Sequence, residues 1–227
     1  MNRSTALGAL GVVAATALVG GATVPPAVAA PATCFGKRAT ITGHGLVVGT
    51  EGADVIVTSR RSTVRGRGGD DRICGAYTMH GGAGNDRIHF GRTFDTDFME
   101  VTGGEGRDRV VVSSHADVVI VTGSGADAVE TGSGWQYVDA GAGPDSVTTG
   151  RGNDEIHGGA GADVLDGRQG RDEITGDGGD DLLRGGDGAD RLFDGYDRDL
   201  GDDTARGGPG VDACADSLER RISCERG

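Results

Sequence analysis

Seven aspartates recur at a fixed interval between residues 122 and 193: Asp127, Asp145, Asp154, Asp163, Asp172, Asp181 and Asp190. Asp86 and Asp108 stand in similar surroundings upstream. Carboxylates gathered into one array suit a hard cation, and calcium (Ca2+) takes six to eight oxygens at about 2.3–2.6 Å in flexible geometry. The competing chemistry is a catalytic pair, since a glycosidase needs two carboxyl groups about 5–9.5 Å apart. Here the interval accounts for the aspartates and singles out no pair. No HExxH helix, GxSxG elbow or CxxC pair occurs. The five histidines share no spacing. The expectation is a protein that is not an enzyme and has no catalytic residue.

The interval is set by a nonapeptide. From Thr122 to Phe193 the chain reads TGSGADAVE, TGSGWQYVD, AGAGPDSVT, TGRGNDEIH, GGAGADVLD, GRQGRDEIT, GDGGDDLLR, GGDGADRLF, eight blocks without insertion. Gly holds the fourth place in all eight, Asp the sixth in seven, and the eighth is Val, Ile or Leu throughout. The first six places favour turns, because Gly reaches positive φ freely and Asp bonds its own backbone. The last three read as a short strand with one aliphatic side chain turned inward. Alternating turn and strand winds a coil, and a period this strict decides the architecture ahead of local propensity. With two turns and two strands per circuit, places 18 residues apart stack on one edge. Asp127, Asp145, Asp163 and Asp181 then line one side, and Asp154, Asp172 and Asp190 the other. Stacked strands lie about 4.8 Å apart, so carboxylates at that spacing repel unless something lies between them. One aliphatic residue in nine makes a thin core, and the ordering of glycine-rich turns is costly in entropy.

These blocks resemble the G-G-x-G-x-D-x-U-x nonapeptide of the RTX, or haemolysin-type, calcium-binding repeats. Gly158, Gly159, Gly161, Asp163 and Leu165 match it in full, as do Gly185, Gly186, Gly188, Asp190 and Leu192. The resemblance implies an all-β, right-handed parallel β-roll with calcium between turns, Asp side chains and turn carbonyls as ligands, and the aliphatic place inward. The block span carries twelve Asp and three Glu against five Arg, a charge that opposes a compact metal-free form.

Composition sets further bounds. Aromatics are only 4 % of 227 residues and the net charge is −13, with Lys37 the single lysine. Nucleic acid and anionic membrane surfaces are excluded as partners on that balance. Residues 1–29 read as a secretory leader, with Arg3, an apolar run from Ala6 to Val19, and Ala27-Val28-Ala29 before a cleavage at Ala30. The apolar run is too short to span about 30 Å of hydrocarbon. The mature chain is expected to be secreted and free of the membrane.

Residues 30–121 read as the same coil with bulged loops. Weaker blocks begin at Gly49, Gly66, Gly81 and Gly103, at irregular spacing, so stacking partners 18 residues away are missing or displaced. The interruption Phe90–Thr102 holds Phe90, Phe94, Phe98 and Met99, read as cover that adds hydrophobic volume. Val110–Val121 lacks Gly and reads as a metal-free segment. In the strict array Gln136 replaces Asp between Trp135 and Tyr137, which marks an empty or weak cation position under aromatic cover. In residues 194–227 the pattern breaks: Asp199 keeps the sixth-place phase, Gly201 falls in the aliphatic place, and GGPGVDACA then returns with Cys214 inward. Ser217–Cys224 reads as a terminal cap. Outside the cell the four cysteines are expected to pair as Cys34–Cys74 and Cys214–Cys224, each tying an end of the coil.

The functional expectation is an exported calcium-binding β-roll whose folding is coupled to the ion. Two other readings stay open: a cell-surface or matrix adhesion scaffold holding a glycan or cell-wall ligand near Trp135 or Phe94, and a metal-free structural solenoid.

Overall fold

A computed structural model describes residues 32–91, 98–193, 195 and 204–215. The described residues form twenty strands and no helix. Eighteen strands join one parallel sheet that winds on itself, each strand pairing with the second before and the second after it through the regular part. Val164–Gly170, for instance, lies between Ser146–Thr148 and Leu182–Gly188. This is a parallel β-solenoid with two strand faces and two edges of turns, as the nonapeptide requires.

The eighth place of the block builds the core. On the front face Val129, Val147, Leu165 and Leu183 stack in register; on the back face Val138, Ile156, Ile174 and Leu192 do the same. All eight are buried. The two ridges continue into the irregular part as Ile56, Ile73, Ile88 and Val110 in front, and Val64, Met79, Val101 and Ile120 behind. They meet in one hydrophobic seam.

The strands are longer than the three residues expected. Glu155–Ala160 and Glu173–Gly178 have six, and Val164–Gly170 and Leu182–Gly188 have seven. The first places of each following block go on pairing with the next coil, as Gly159 with Asp177 and Arg168 with Gly186. The chain turns at the fourth place, where Gly161, Gly170, Gly179 and Gly188 take φ of 148°, 143°, 135° and 155°. A side chain is unwelcome there on two counts. The conformation is nearly reserved for Gly, and a Cβ on Gly161 would strike the Gly143 carbonyl of the preceding coil. The second place is more permissive, holding Arg168 at φ 70° and Asp177 at φ 71°.

In the irregular parts one expectation is corrected and two are made definite. In residues 49–121 the stacking partners are displaced, as expected, and not missing: coils of 17, 15, 22 and 19 residues still bring Asp54, Asp71, Asp86, Asp108 and Asp127 into contact one after another. The strands stay paired across these unequal coils, with shifts of register at Gly43/Gly45 and at Thr131/Ser133. Val110–Val121 is largely strand, and its Val110 and Ile120 sit in the two ridges like any other repeat. Beyond Phe193 the residue stacked on Leu183 is Ala205, not Gly201. Asp199 and Gly201 themselves lie outside the described residues. Cys214 does take the inward place, on Leu192.

Cys34 and Cys74 form a disulfide with Cα atoms 5.8 Å apart. It fastens the short antiparallel hairpin Thr33–Cys34 and Lys37–Arg38 to the front face. Cys214 is also disulfide-bonded, whereas Cys224, the cap segment, Phe94 and the leader lie outside the described residues.

Candidate metal centre

The sixth-place aspartates form two ladders, one along each edge. On the first edge the backbone N–H of each Asp donates to Oδ1 of the Asp on the next coil. The run is Asp54, Asp71, Asp86, Asp108, Asp127, Asp145, Asp163, Asp181, with N···O distances of 2.7–2.8 Å. On the second edge Gln136 donates to Asp154, Asp154 to Asp172, Asp172 to Asp190, and Asp190 to Asp212, at 2.9–3.1 Å. The structure therefore brings together all nine aspartates expected from the sequence, in two columns. It adds Asp54, Asp71 and Asp212, whose blocks were legible but whose spacing was not.

Each carboxylate thus has one oxygen committed to the neighbouring coil. The other points into the turn. Oδ2 of Asp71, Asp86, Asp108, Asp145, Asp163, Asp172, Asp190 and Asp212 is buried without a hydrogen-bond donor. Burying a charged oxygen without a partner is expensive, and a recurrent orphan at one place of a repeat asks for a common ligand. Next to it stands a backbone carbonyl of the following coil: a Cβ placed on Gly158 would lie 2.6 Å from both Asp163 Oδ2 and Gly176 O. The same pairing of Oδ2 with a first-place carbonyl recurs at Gly66, Gly81, Gly103 and Gly185. Gly in the first place keeps this oxygen-lined space open. Among the described residues no three His, Cys, Asp or Glu side chains converge, so an ion held here takes its remaining oxygens from the backbone. That donor set, carboxylate with carbonyl, fits calcium.

Burial raises the carboxyls of Asp71, Asp86, Asp108, Asp127, Asp145, Asp154, Asp163, Asp172 and Asp190 above the ordinary value of 3.8. Those of Asp71, Asp108, Asp145 and Asp172 rise to about 7 and those of Asp86 and Asp154 to about 6. The backbone N–H bond pulls the other way without cancelling it. For Asp108, Asp145 and Asp172 the carboxylates above and below add to the rise.

Not every rung is alike. At the start of the first ladder Asp54 Oδ2 accepts Thr50 N–H at 2.7 Å and the Thr50 hydroxyl at 2.9 Å, so this carboxylate is satisfied and ends the column. At Asp127 and Asp154 the first place is Thr. The Thr122 hydroxyl donates to Ala140 O at 2.7 Å and that of Thr149 to Gly167 O at 3.0 Å, engaging the carbonyls that elsewhere face Oδ2. Sequence reading missed the threonines because they count only once the coils are stacked.

The second edge changes character at Gln136. Its amide is buried and satisfied, accepting from the Thr131 hydroxyl at 3.1 Å and donating to Ala116 O at 3.3 Å. On the preceding coils its place is taken by Val118 and Met99. The first place, Gly in the later coils, is Val112 and Phe90. All four are buried, so apolar side chains fill these turns where Asp and open space lie further on. Met99 and Phe90 bear out the reading of that interruption as hydrophobic volume, while Phe98 stays 59 % exposed. Of the flanking aromatics, Tyr137 lies against His157, ring centroids 5.6 Å apart. Trp135 is 39 % exposed.

The model of the RTX calcium-binding nonapeptide repeat matches residues 48–76, 78–97, 119–147, 139–174, 159–192 and 166–199, together more than half of the chain. No curated protein matches it significantly.

Proposed function

Since the chain belongs to the RTX calcium-binding nonapeptide repeat family, we propose that it is an exported, non-catalytic β-roll whose folding is completed by calcium between stacked turns. The recurrent buried Oδ2 without a donor is the observation that carries this reading. Oδ2 of Asp71, Asp86, Asp108, Asp163 and Asp190, each beside a first-place carbonyl, together with Oδ2 of Asp145 and Asp172, would hold the ions. Asp127, Asp154 and Asp181 complete the ladders. Calcium bound there neutralises facing carboxylates and joins one coil to the next. The chain's own part is to present the oxygens: the Asp-to-Asp N–H bonds fix each carboxylate, and Gly at the first place leaves room.

Proteins of this family are typically exported, and residues 1–29 have the composition of a leader. Among the described residues no helix is long and apolar enough to cross a membrane. Metal binding of this kind is folding free energy. Circular dichroism in millimolar calcium should show a cooperative β transition that is lost or strongly lowered in excess chelator. Equal strand signal and equal melting temperature in the two conditions would count the proposal out.

A further inference from the structure

The outward places of the front face carry a feature the calcium ladders do not use. Arg72, Arg87 and Arg109 occupy the same place on three consecutive coils, in direct register. Val55 precedes the row and Ala128 follows it. Strands about 4.8 Å apart put three guanidinium groups on a line about 10 Å long. Such a row is self-repelling unless an anion faces it.

The protein supplies little opposition. Among the described residues Arg72 and Arg87 form no ion pair, and Arg72 Nε is buried without a hydrogen-bond partner. Arg109 meets Glu130 at 3.4 Å, an exposed contact worth little. Asp70, the acid that feels Arg72, spends its Oδ1 on the Asn85 N–H and amide. The carboxylates of Asp71, Asp86 and Asp108 are turned into the turns and buried. A cleft of about 340 Å3 runs along the row, lined by Arg72, Arg87, Arg107 and Arg109 on its outer side and by Asp70, Asp71, Asp86 and Asp108 beside them. The neighbouring outward row on these coils, Val57, Cys74, His89 and Val111, contains no acid. The disulfide pins the hairpin to this row, with Phe35 against His89 at 5.6 Å, and the hairpin's own Lys37 and Arg38 are exposed. In a chain of net charge −13, this is a concentrated basic face with a half-exposed aromatic ring at its margin.

We propose that this face binds a linear acidic polysaccharide running along the coil axis, its carboxylate or sulfate groups on Arg72, Arg87 and Arg109. Guanidinium groups suit both anions through paired N–H donors. Nucleic acid fits less well: the row is too short for the six to ten phosphate contacts typical of duplex binding. A single strand needs a series of stacking aromatics, and Phe35 is one ring.

The test uses the full mature chain in calcium, with binding read by calorimetry or affinity electrophoresis. The probes are unsulfated chondroitin, chondroitin sulfate, neutral dextran and a short single-stranded DNA. Binding to either chondroitin but not to dextran is expected, and the pair distinguishes carboxylate from sulfate recognition. R72Q/R87Q/R109Q should weaken it at least tenfold with unchanged circular dichroism, whereas the charge-matched R151Q/R171Q/R184Q should leave it within twofold. No binding to either chondroitin overturns the proposal. So does equal loss in the two triple variants, or binding of DNA as tight as that of the polysaccharide.

Discussion

The carboxylates of the two ladders are poised between a proton and a metal ion. Asp71, Asp108, Asp145 and Asp172, with pKa pushed to about 7 from 3.8, bind more protons folded than unfolded across that interval. The cation-free coil is therefore most stable below about pH 4 and loses that contribution as pH rises toward 7. Calcium-depleted protein should show a higher melting temperature at pH 5 than at pH 8, and apparent calcium affinity should fall as pH drops below 7. Depleted protein that melts alike at both pH values would refute this account. Gln136 offers a second test at the same scale. Gln136→Asp combined with Thr131→Gly extends the second ladder by one carboxylate and gives it the open first place of the later rungs, and calorimetry should register one additional calcium. In chelator the variant should be less stable than the parent, since the Ala116 carbonyl loses its amide donor and a buried carboxylate gains no partner. Unchanged stoichiometry would sink that reading of Gln136.

At the scale of the element, turn and strand divide the work. The strand contributes one buried aliphatic side chain per block, and Leu165→Ala should cost about 2–5 kcal/mol, as core truncations to Ala do. The turn contributes a backbone path that only its fourth-place Gly follows without strain. Gly161→Ala should cost about 1–3 kcal/mol from conformation alone, with the Gly143 carbonyl in the way as well. Thermal melts in saturating calcium check both. A Gly161→Ala melt indistinguishable from the parent would mean the turn relaxes and the fourth place is not restrictive.

For the whole molecule, the two edges are built on different principles. The first carries a carboxylate ladder from end to end. The second is apolar up to Val118 and acidic from Asp154, with Gln136 at the junction. The apolar stretch also lies near the Cys34–Cys74 bridge, which restrains the unfolded chain. Residues 41–121 thus depend less on a cation than residues 136–193. Hydrogen exchange after calcium removal should be slower over the first segment than over the second, and uniform exchange along both would argue against the division.

Much of this was present in the residue order. The nonapeptide period, the two aliphatic ridges and the Asp columns after residue 122 are legible there because each follows from local repetition, and the pairing of Cys34 with Cys74 was expected from their places flanking the first part of the coil. Tertiary structure decided what repetition could not. It closed coils of 15 to 22 residues onto one Asp ladder, since parallel pairing holds the strands together and takes up unequal lengths in local shifts of register. It set Thr122 and Thr149 against carbonyls 18 residues away, put Val118 and Met99 where later coils hold Asp, and aligned Arg72, Arg87 and Arg109 from unequal spacings. Those relations join residues of different coils, and only the register of the sheet determines which ones meet.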